Sequence, residues 1–478
     1  MSVREKLLKT KSLLDTVFLH DPVYAESILA SFASRSHICL LGFRGSGKTH
    51  VMECLIKMID STCVAVQQGY LSAELEDVFA RPDIPSLMRG EEKVVWKDMV
   101  TARIKAFDEI QRLGVGALSA MFRLMTTGSV MYLDQEAGVK EFWVIATANP
   151  TELSEDALNV RLPEPLWDRF NAVLWVPIAP LKYQIRINGN IEKAKEALPV
   201  IWKEEDLLEL WKTVENIEIP EDIEYVITLI NRIMGFCKYA QNYDASSLTE
   251  MQKRELCSKC NQSYICSRIA RPASVRAKLA LSRLAKGFAF LRGSKKVDII
   301  DVQKAFPLVY WKRIRFMDED QISNRFVKLQ ELSEDLIKEI RESKQAINLV
   351  NSLKKKFERK KYSELNYWVN SKAWLREVKE DLEDYYKRFA DQLREKLKEA
   401  DQEKRVKIYM LAKLKLPPEM AEEFRAETSI KIKLNPENVA KLAKINRLVF
   451  EEAKKAYQSG LREYELHGEY ALKWLSME

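Results

Sequence analysis

The first part of the chain alternates short apolar runs with helical patterns. Residues 38–41 are consecutively apolar, as expected of a buried strand, and apolar residues recur at helical spacing over residues 51–59. Another apolar run, residues 142–148, predicts a second strand, which is followed by the polar residue Asn149. The pattern thus predicts a strand, a loop and a helix in succession between residues 38 and 59.

Beyond about residue 307 the pattern changes, because glycine nearly disappears. Residues 326–340 and 374–389 place apolar side chains three and four positions apart with charges between them, which predicts long amphipathic helices. Breaks near Pro417 and at residues 434–437 precede a further helical stretch, 438–458. We predict an appended antiparallel helical or coiled-coil domain that folds back on itself at least once.

Length and apolar runs limit the class of protein. At 478 residues the chain exceeds one ordinary hydrophobic core, so we expect about two to four domains. No apolar run approaches the roughly 18 residues of a membrane-spanning helix, and the first eleven residues lack the apolar centre of a signal peptide. We therefore expect a soluble, cytoplasmic protein with no membrane span.

The net charge is concentrated in the last third of the chain. Residues 303–478 contain 38 Lys and Arg against 31 Asp and Glu, a net of +7 that equals the charge of the whole chain. Most of these charges are interleaved, as on a solvated surface, but residues 354–361 contain six basic residues in eight. We expect the helices to dock a partner protein, with phosphate binding to nucleic acid by this basic run as the alternative.

The loop after the first predicted strand has the pattern G-x-x-x-x-G-K-S/T, which is a phosphate-binding loop. Its glycines turn the backbone tightly and direct N–H groups at phosphate oxygens, while Lys48 reaches the β and γ phosphates and the Thr49 hydroxyl can bind Mg²⁺. The helix that follows presents a terminus favourable to anions. We predict that ATP is bound by Gly42, Arg44, Gly45, Ser46, Gly47, Lys48 and Thr49.

Two acidic residues and an asparagine complete a set suited to phosphoryl transfer. Asp108 and Glu109 follow a predicted strand sixty residues after Lys48, where Asp108 can hold Mg²⁺ and Glu109 can polarise the attacking water. Asn149 can hydrogen-bond the γ phosphate or that water. Because Arg103 and Lys105 interrupt the apolar run before Asp108, we expect this strand to be less buried than a central parallel strand.

These motifs in this order, followed by Pro163-Glu164 and Asp168-Arg169-Phe170, resemble an AAA+ ATPase of the MoxR family. The resemblance covers about residues 1–307. It implies an α/β P-loop core with a parallel sheet over residues 1–182 and an all-α lid over residues 183–307, to which the helical pattern described above adds an α-helical C-terminal domain over residues 308–478. It also implies that Arg169 completes a neighbouring subunit's site, although Arg161 is the alternative, and that Arg276 senses the γ phosphate from the lid.

The resemblance implies further properties of the assembly. Residues 84–96 and 128–143 are similar to two hairpin insertions that face the pore or substrate in related rings. MoxR proteins form rings, most often hexamers, and act with von Willebrand A-domain partners in the assembly or maturation of client proteins. Two alternatives stay open: an ATP-driven nucleic-acid remodeller, and a nucleotide-gated scaffold with little turnover.

A cysteine cluster falls within the expected lid. The C-x-x-C spacing of the central pair is typical of metal ligands, and four thiolates suffice for tetrahedral Zn²⁺ or an iron–sulfur cluster. Two disulfides, which a cytosolic setting disfavours, and unlinked thiols are the alternatives. We predict a structural metal site, with a redox sensor as a sharper alternative, formed by Cys237, Cys257, Cys260 and Cys266.

Overall fold

The computed structural model describes residues 1–70, 73–150, 162, 164–187, 189–234, 269–271, 273–316, 329, 332, 345–371 and 375–477. The chain divides near residue 339 into two compact units. The four clustered cysteines, Arg161 and most of residues 326–340 lie outside the described residues. None of the helices in the described part of the chain combines the length and the apolar character needed to cross a bilayer.

The first unit contains the three predicted strands that lead to the site, together with the phosphate loop. Its described strands are β1 (Ile38–Leu41), β2 (Val64–Gln68), β3 (Ala80–Pro82), β4 (Val94–Trp96), β5 (Ile104–Asp108), β6 (Ser129–Tyr132), β7 (Gln135–Gly138), β8 (Trp143–Ala148), β9 (Ala172–Trp175), β10 (Ile269–Arg271) and β11 (Arg315–Phe316). Its described helices are α1 (Val3–Val17), α2 (Pro22–Ala33), α3 (Lys48–Lys57), α4 (Leu75–Val78), α5 (Ile84–Leu87), α6 (Asp98–Thr101), α7 (Val115–Thr127), α8 (Glu164–Arg169), α9 (Leu181–Gln184), α10 (Gly189–Glu196), α11 (Glu204–Glu215), α12 (Glu221–Ile233), α13 (Val275–Arg292) and α14 (Ile299–Tyr310).

Five strands form the central sheet of this unit in the order β2-β5-β8-β1-β9. All neighbouring pairs are parallel, so the carboxyl ends of the strands meet at one edge. The phosphate loop after β1, the acidic pair after β5 and Asn149 after β8 therefore lie side by side. The predicted α/β core with a parallel sheet is confirmed.

The expectation of a poorly buried β5 is wrong. Strand β5 lies between β2 and β8, and Lys105 is fully buried within it. Its Nζ donates to Val100 O at 3.0 Å and Ala102 O at 2.7 Å, and it lies 5.1 Å from the centre of the Phe142 ring. A long side chain can enter the core when its polar end reaches carbonyls that lack other partners.

Both predicted hairpins are present, although the first differs in extent. Strands β3 and β4 pair antiparallel, so this hairpin begins at Ala80, and helix α5 and Gly90 lie in its connection. Strands β6 and β7 form the second hairpin, with a turn at Leu133 and Asp134 in which both residues have positive φ. Positive φ at both positions suits the twist of a two-residue hairpin turn.

The helices after the sheet form the lid of the first unit. Helix α13 packs against α14, α12 and the core helix α2. At the contact with α2, a Cβ on Gly287 would lie 2.1 Å from Ala30 O, so only glycine permits this approach. Tight packing of α13 on α2 holds this lid helix against the core.

The second unit is largely helical, as predicted. Residues 345–355 are helical. They are followed by α15 (Arg359–Ser371), α16 (Arg376–Lys398), α17 (Gln402–Lys415), α18 (Pro418–Glu422), strand β12 (Ile430–Lys433), α19 (Pro436–Ile445), α20 (Arg447–Gln458), strand β13 (Glu463–Leu466) and α21 (Gly468–Leu475). Consecutive packing of α15 on α16 and of α16 on α17 gives the expected return of the chain.

A short antiparallel sheet in this unit was not predicted. Strands β12 and β13 pair with Ile430 opposite Leu466, and both side chains are buried in a core that includes Leu442 and Trp474. Residues 430–433 alternate Ile and Lys, and the structure alternates them between buried and exposed positions. This period of two is a strand signal that the sequence contained.

Candidate functional site

A cavity of about 320 Å³ lies at the carboxyl edge of the central sheet. It brings together seven of the predicted site residues with two that were not predicted, His50 and Thr147. Three other predicted residues contact the residues that line the cavity: Gly42, Ser46 and Asp108. The lining residues are Arg44, Gly45, Gly47, Lys48, Thr49, His50, Glu109, Thr147 and Asn149.

The phosphate loop is shaped by two glycines and closed by Lys48. A Cβ on Gly42 would lie 2.2 Å from Val176 O, and Gly47, which precedes α3, has a φ of 85°. The Lys48 Nζ donates to Gly42 O at 2.7 Å and to Phe43 O at 2.8 Å. Burial lowers the pKa of the Lys48 ammonium below its ordinary value, although the carboxylate of Asp108 opposes this shift.

Thr49 and Asp108 form a pair of oxygen ligands beside the loop. The Thr49 Oγ1 donates to Asp108 Oδ1 at 2.8 Å, and Thr147 Oγ1 donates to the same oxygen at 2.5 Å. A hydroxyl and a carboxylate in this arrangement are the ligands that Mg²⁺ uses when it is shared with phosphates. The residues present therefore fit a magnesium ion.

Glu109 lies next to this pair in a restricted backbone conformation. Its φ is 51° and its ψ is 54°, and its N–H donates to Thr147 Oγ1 at 2.9 Å. The carboxylate accepts from Asn149 Nδ2 at 3.5 Å and pairs with Arg112 Nη1 at 2.9 Å. A non-glycine residue held at positive φ by its surroundings is typical of a functional site.

Three residues that the sequence analysis missed support the predicted set. Thr147 contacts both acidic residues, and Arg112 holds the Glu109 carboxylate. Gln111 is fully buried, and its Oε1 accepts from Asn149 N at 3.3 Å. Side chains two residues apart along a strand point to the same face of the sheet. Thr147 lies two residues before Asn149, and this spacing is the sequence signal that could have identified it.

Aromatic rings border the phosphate loop on the side of α1 and α2. The centre of the Phe18 ring lies 5.4 Å from that of His20, which lies 4.3 Å from that of Tyr24. The His20 Nε2 lies 3.0 Å from Pro177 O, and a Cβ on Gly47 would be 3.4 Å from Phe18. These rings give the loop an apolar neighbour that the sequence analysis did not consider.

Arg169 and Arg276, unlike Arg44, lie outside the cavity lining. Arg169 Nε donates to Thr126 Oγ1 at 3.0 Å, and its guanidinium lies 5.2 Å from the centre of the Phe122 ring. Arg276 Nη1 pairs with Asp168 Oδ2 at 3.0 Å. Within this chain, therefore, both arginines are bound to the protein rather than directed into the phosphate cavity.

A parallel sheet with a phosphate loop, an adjacent acidic pair and a packed helical lid defines a P-loop nucleotide-binding protein of the α/β class. Comparison with known families narrows this class. Residues 37–170 match the AAA domain of the dynein-related subfamily, and residues 262–338 match the AAA lid domain. The first unit is thus an AAA+ nucleotide-binding module with its lid.

Solved structures agree with this fold. A protein of Cytophaga hutchinsonii, provisionally described as an ATPase, superposes with a TM-score of 0.53 at 20% identity. The match covers 69% of this chain and 96% of that one. No curated protein matches the chain in sequence.

Proposed function

We propose that the protein hydrolyses ATP at the cavity beside the phosphate loop. The observation that carries this proposal is the convergence of Lys48, Thr49, Asp108, Glu109 and Asn149 at one edge of the sheet. These groups supply the positive charge, the metal ligands, the base and the amide that phosphoryl transfer requires. Hydrolysis is the reaction for which the whole set is needed, since binding alone does not need Glu109.

The roles of the side chains follow from their positions. Lys48 binds the phosphates, and Thr49 with Asp108 holds Mg²⁺, which when bound neutralises charge on the phosphate oxygens. Glu109 accepts a proton from the attacking water, and Asn149, already bonded to Glu109, orients that water. Arg112 and Thr147 hold the carboxylates in place.

The test is the substitution Glu109→Gln, which keeps the size of the side chain and removes the base. We expect hydrolysis to fall at least about a hundredfold, the size of a general-base contribution, while affinity for ATP changes little. Glu209→Gln on the exposed face of α11 is the matched control and keeps full activity. Undiminished hydrolysis in Glu109→Gln would refute the assignment of the base.

We further propose that the active form is a ring, most often a hexamer in the MoxR family, in which Arg169 acts on the neighbour's nucleotide. Arg169 is partly exposed at the end of α8 and held by Thr126 and Pro165, so its position is fixed. An arginine held in place outside the cavity of its own subunit is suited to act on the nucleotide of a neighbouring subunit. Arg161, which lies outside the described residues, stays the competing assignment.

We propose that hydrolysis remodels a protein client, in the manner of MoxR proteins with von Willebrand A-domain partners. Both hairpins carry exposed apolar side chains, including Met88 at 85% exposure and Met131 at 46%. Gln135 Nε2 donates to Glu92 O at 2.8 Å and so joins the two hairpins. Exposed apolar side chains on two linked hairpins are suited to binding an unfolded or partly folded chain.

Capture with Glu109→Gln tests the client. The variant is loaded with ATP in nuclease-treated extract, and the retained proteins are identified by mass spectrometry, with Lys48→Ala as the control that lacks nucleotide. Recovery of one enzyme complex or an A-domain protein supports remodelling of proteins. Retention of nucleic acid that nuclease abolishes supports the nucleic-acid alternative, and slow turnover with no ATP-dependent capture supports the scaffold.

We also propose a zinc or iron–sulfur site at the cysteine cluster. The C-x-x-C spacing of Cys257 and Cys260 and the two further cysteines nearby in the sequence support this proposal. Among the described residues no group of three or more His, Cys, Asp or Glu is arranged to hold a metal. Elemental analysis of the purified protein should give about one zinc or several irons per chain, lost on Cys257→Ser and Cys260→Ser. Metal-free protein with cysteines in disulfide form would favour the alternative.

A further inference from the structure

Asp168, on core helix α8, contacts three residues of the lid. Ser274 Oγ donates to Asp168 Oδ1 at 2.7 Å, and Arg276 Nη1 donates to Oδ2 at 3.0 Å. Arg313 Nε approaches Oδ1 at 3.4 Å. One carboxylate of the core therefore binds two parts of the lid region, the start of α13 and the turn after α14.

Ser274 and Arg313 anchor this carboxylate firmly. Ser274 is the N-cap residue of α13, yet its side chain makes no capping hydrogen bond. Its hydroxyl donates to Asp168 instead. Arg313 is 5% exposed, and its guanidinium also donates to Asp168 O at 3.0 Å and Phe170 O at 2.6 Å. Because a buried guanidinium needs a counter-charge, Asp168 stays in place whatever Arg276 does.

The electrostatics keep Asp168 charged. Burial alone would raise the pKa of its carboxyl, but hydrogen bonds from Ser274 and Arg276 and the charge of Arg313 lower it below its ordinary value. At neutral pH the side chain is therefore a full anion held beside the lid.

Arg276 is bound much less firmly than its neighbours. Its side chain is 55% exposed, and its ion pair with Asp168 is open to water. Exposed ion pairs contribute little, whereas a guanidinium binds phosphate strongly because two N–H groups can reach two oxygens. Arg276 can thus exchange Asp168 for a phosphate without disturbing the buried contacts of Arg313.

We propose that Asp168 is a positioning residue that competes with the nucleotide phosphate for Arg276. When ATP binds, Arg276 must leave Asp168 in order to bind the phosphate. This inference rests on the proposed ATPase function and on the role of phosphate sensor that the family resemblance implies for Arg276. Asp168 directly precedes Arg169, so the exchange also changes the charge next to the arginine proposed to act on the neighbour. Nucleotide state in one subunit is thereby coupled to the helix that faces the next.

The experiment compares four proteins: wild type, Asp168→Asn, Arg276→Ala and the double variant. The probe is the non-hydrolysable analogue AMPPNP, with ADP measured alongside, by calorimetry on the full chain. Asp168→Asn keeps the oxygen that Ser274 and Arg313 use and removes the charge. We expect it to tighten AMPPNP binding by about two- to fivefold, the range of an exposed ion pair, and to change ADP binding by less than about twofold.

The double variant separates competition from a structural effect. With Arg276→Ala present, Asp168→Asn should leave AMPPNP affinity unchanged, because nothing is left to compete for. Glu224→Gln removes a carboxylate that pairs with Lys278 on the same lid helix at 2.8 Å, and should leave the affinity unchanged in either background. Equal weakening by Asp168→Asn with and without Arg276 would overturn the proposal.

Two further outcomes are informative. If Asp168→Asn lowers the melting temperature sharply because Arg313 loses its partner, the double replacement Asp168→Asn, Arg313→Gln removes the buried charge pair together and should show the same tightening. Absence of that tightening overturns the proposal. Failure of wild type to bind AMPPNP would instead refute the proposed ATPase function itself.

Discussion

At the scale of the residue, Thr147 is the group that aligns the two acids of the site. Its hydroxyl donates to Asp108 and accepts from the Glu109 N–H, and the side chain is 1% exposed. In Thr147→Val both bonds are lost while the volume is kept. We expect kcat for ATP hydrolysis to fall at least about tenfold, equivalent to about 1.4 kcal/mol, with nucleotide affinity retained.

The variant Thr213→Val provides the comparison for Thr147. The Thr213 hydroxyl also donates a hydrogen bond, but to the backbone carbonyl Glu209 O on the exposed face of α11. Its replacement should leave kcat unchanged. Wild-type turnover in Thr147→Val, measured by phosphate release at saturating ATP, would show that the strand alone positions the acids.

Lys105 makes stability depend on pH in a definite direction. Burial lowers the pKa of its ammonium from 10.5 to about 7, and the charge of Arg103 adds to this shift. Between these values the unfolded chain binds a proton that the folded chain does not, so this residue makes the free energy of unfolding rise with pH. Below about pH 7 both states are protonated and its destabilising contribution is at its largest and constant.

We expect Lys105→Met to remove this dependence. Urea unfolding between pH 7 and 10 should give a shallower rise of the unfolding free energy with pH than in wild type. Lys212→Met, at an exposed position of α11, should keep the wild-type slope. Parallel curves for wild type and Lys105→Met would mean that the lysine is charged in the folded protein.

At the scale of the element, the phosphate loop depends on the contact between β1 and β9. Val176 N donates to Leu41 O at 2.7 Å, and Gly42 follows directly against Val176 O. A methyl group in Gly42→Ala would push the loop away from β9. We expect the free energy of unfolding to fall by about 1–3 kcal/mol, typical of overpacking, and nucleotide affinity to fall at least about tenfold.

Gly90 is the matched glycine for this test, because it lies in the first hairpin with a φ of 79° and nothing within 4 Å of an added Cβ. Gly90→Ala should show only the strain of a left-handed residue, about 1–2 kcal/mol, and leave nucleotide affinity as in wild type. Equal affinity in both variants would mean that the loop can shift away from β9 without loss.

At the scale of the whole molecule, the role of Arg169 in a neighbouring subunit predicts complementation. Arg169→Ala subunits keep a complete phosphate loop, and Lys48→Ala subunits keep Arg169. Each variant alone should hydrolyse ATP at least about a thousandfold more slowly than wild type, the lower end of the range of a trans-acting arginine. A mixture should recover part of the activity, because some sites combine an intact Lys48 with a neighbour's Arg169.

The control mixes Arg169→Ala with the double variant Lys48→Ala, Arg169→Ala, which supplies no arginine and should give no recovery. Phosphate release at a fixed total protein concentration measures both mixtures. Equal activity in the two mixtures would exclude Arg169 as the trans-acting arginine and would favour Arg161 instead.

Local patterns were sufficient for the phosphate loop, the acidic pair and Asn149. The loop is specified by residues within eight positions, and the strands that end at the site are largely apolar runs, interrupted by Lys105 in β5 and Thr147 in β8. Such signals survive in a single sequence because strand, loop and helix are fixed by neighbours along the chain. The parallel α/β core and the helical character of the second unit were predicted either from such local patterns or from the family resemblance to which those patterns pointed.

Only the tertiary structure decided which side chains support these residues. Thr147 meets Asp108 across 39 positions, and Arg313 meets Asp168 across 145. The burial of Lys105 likewise depends on the two strands that flank β5. The sequence by itself determined the chemistry that the chain presents, because that chemistry is local, whereas the fold determined how each group is held, because hydrogen bonds and burial join residues that are far apart in the chain.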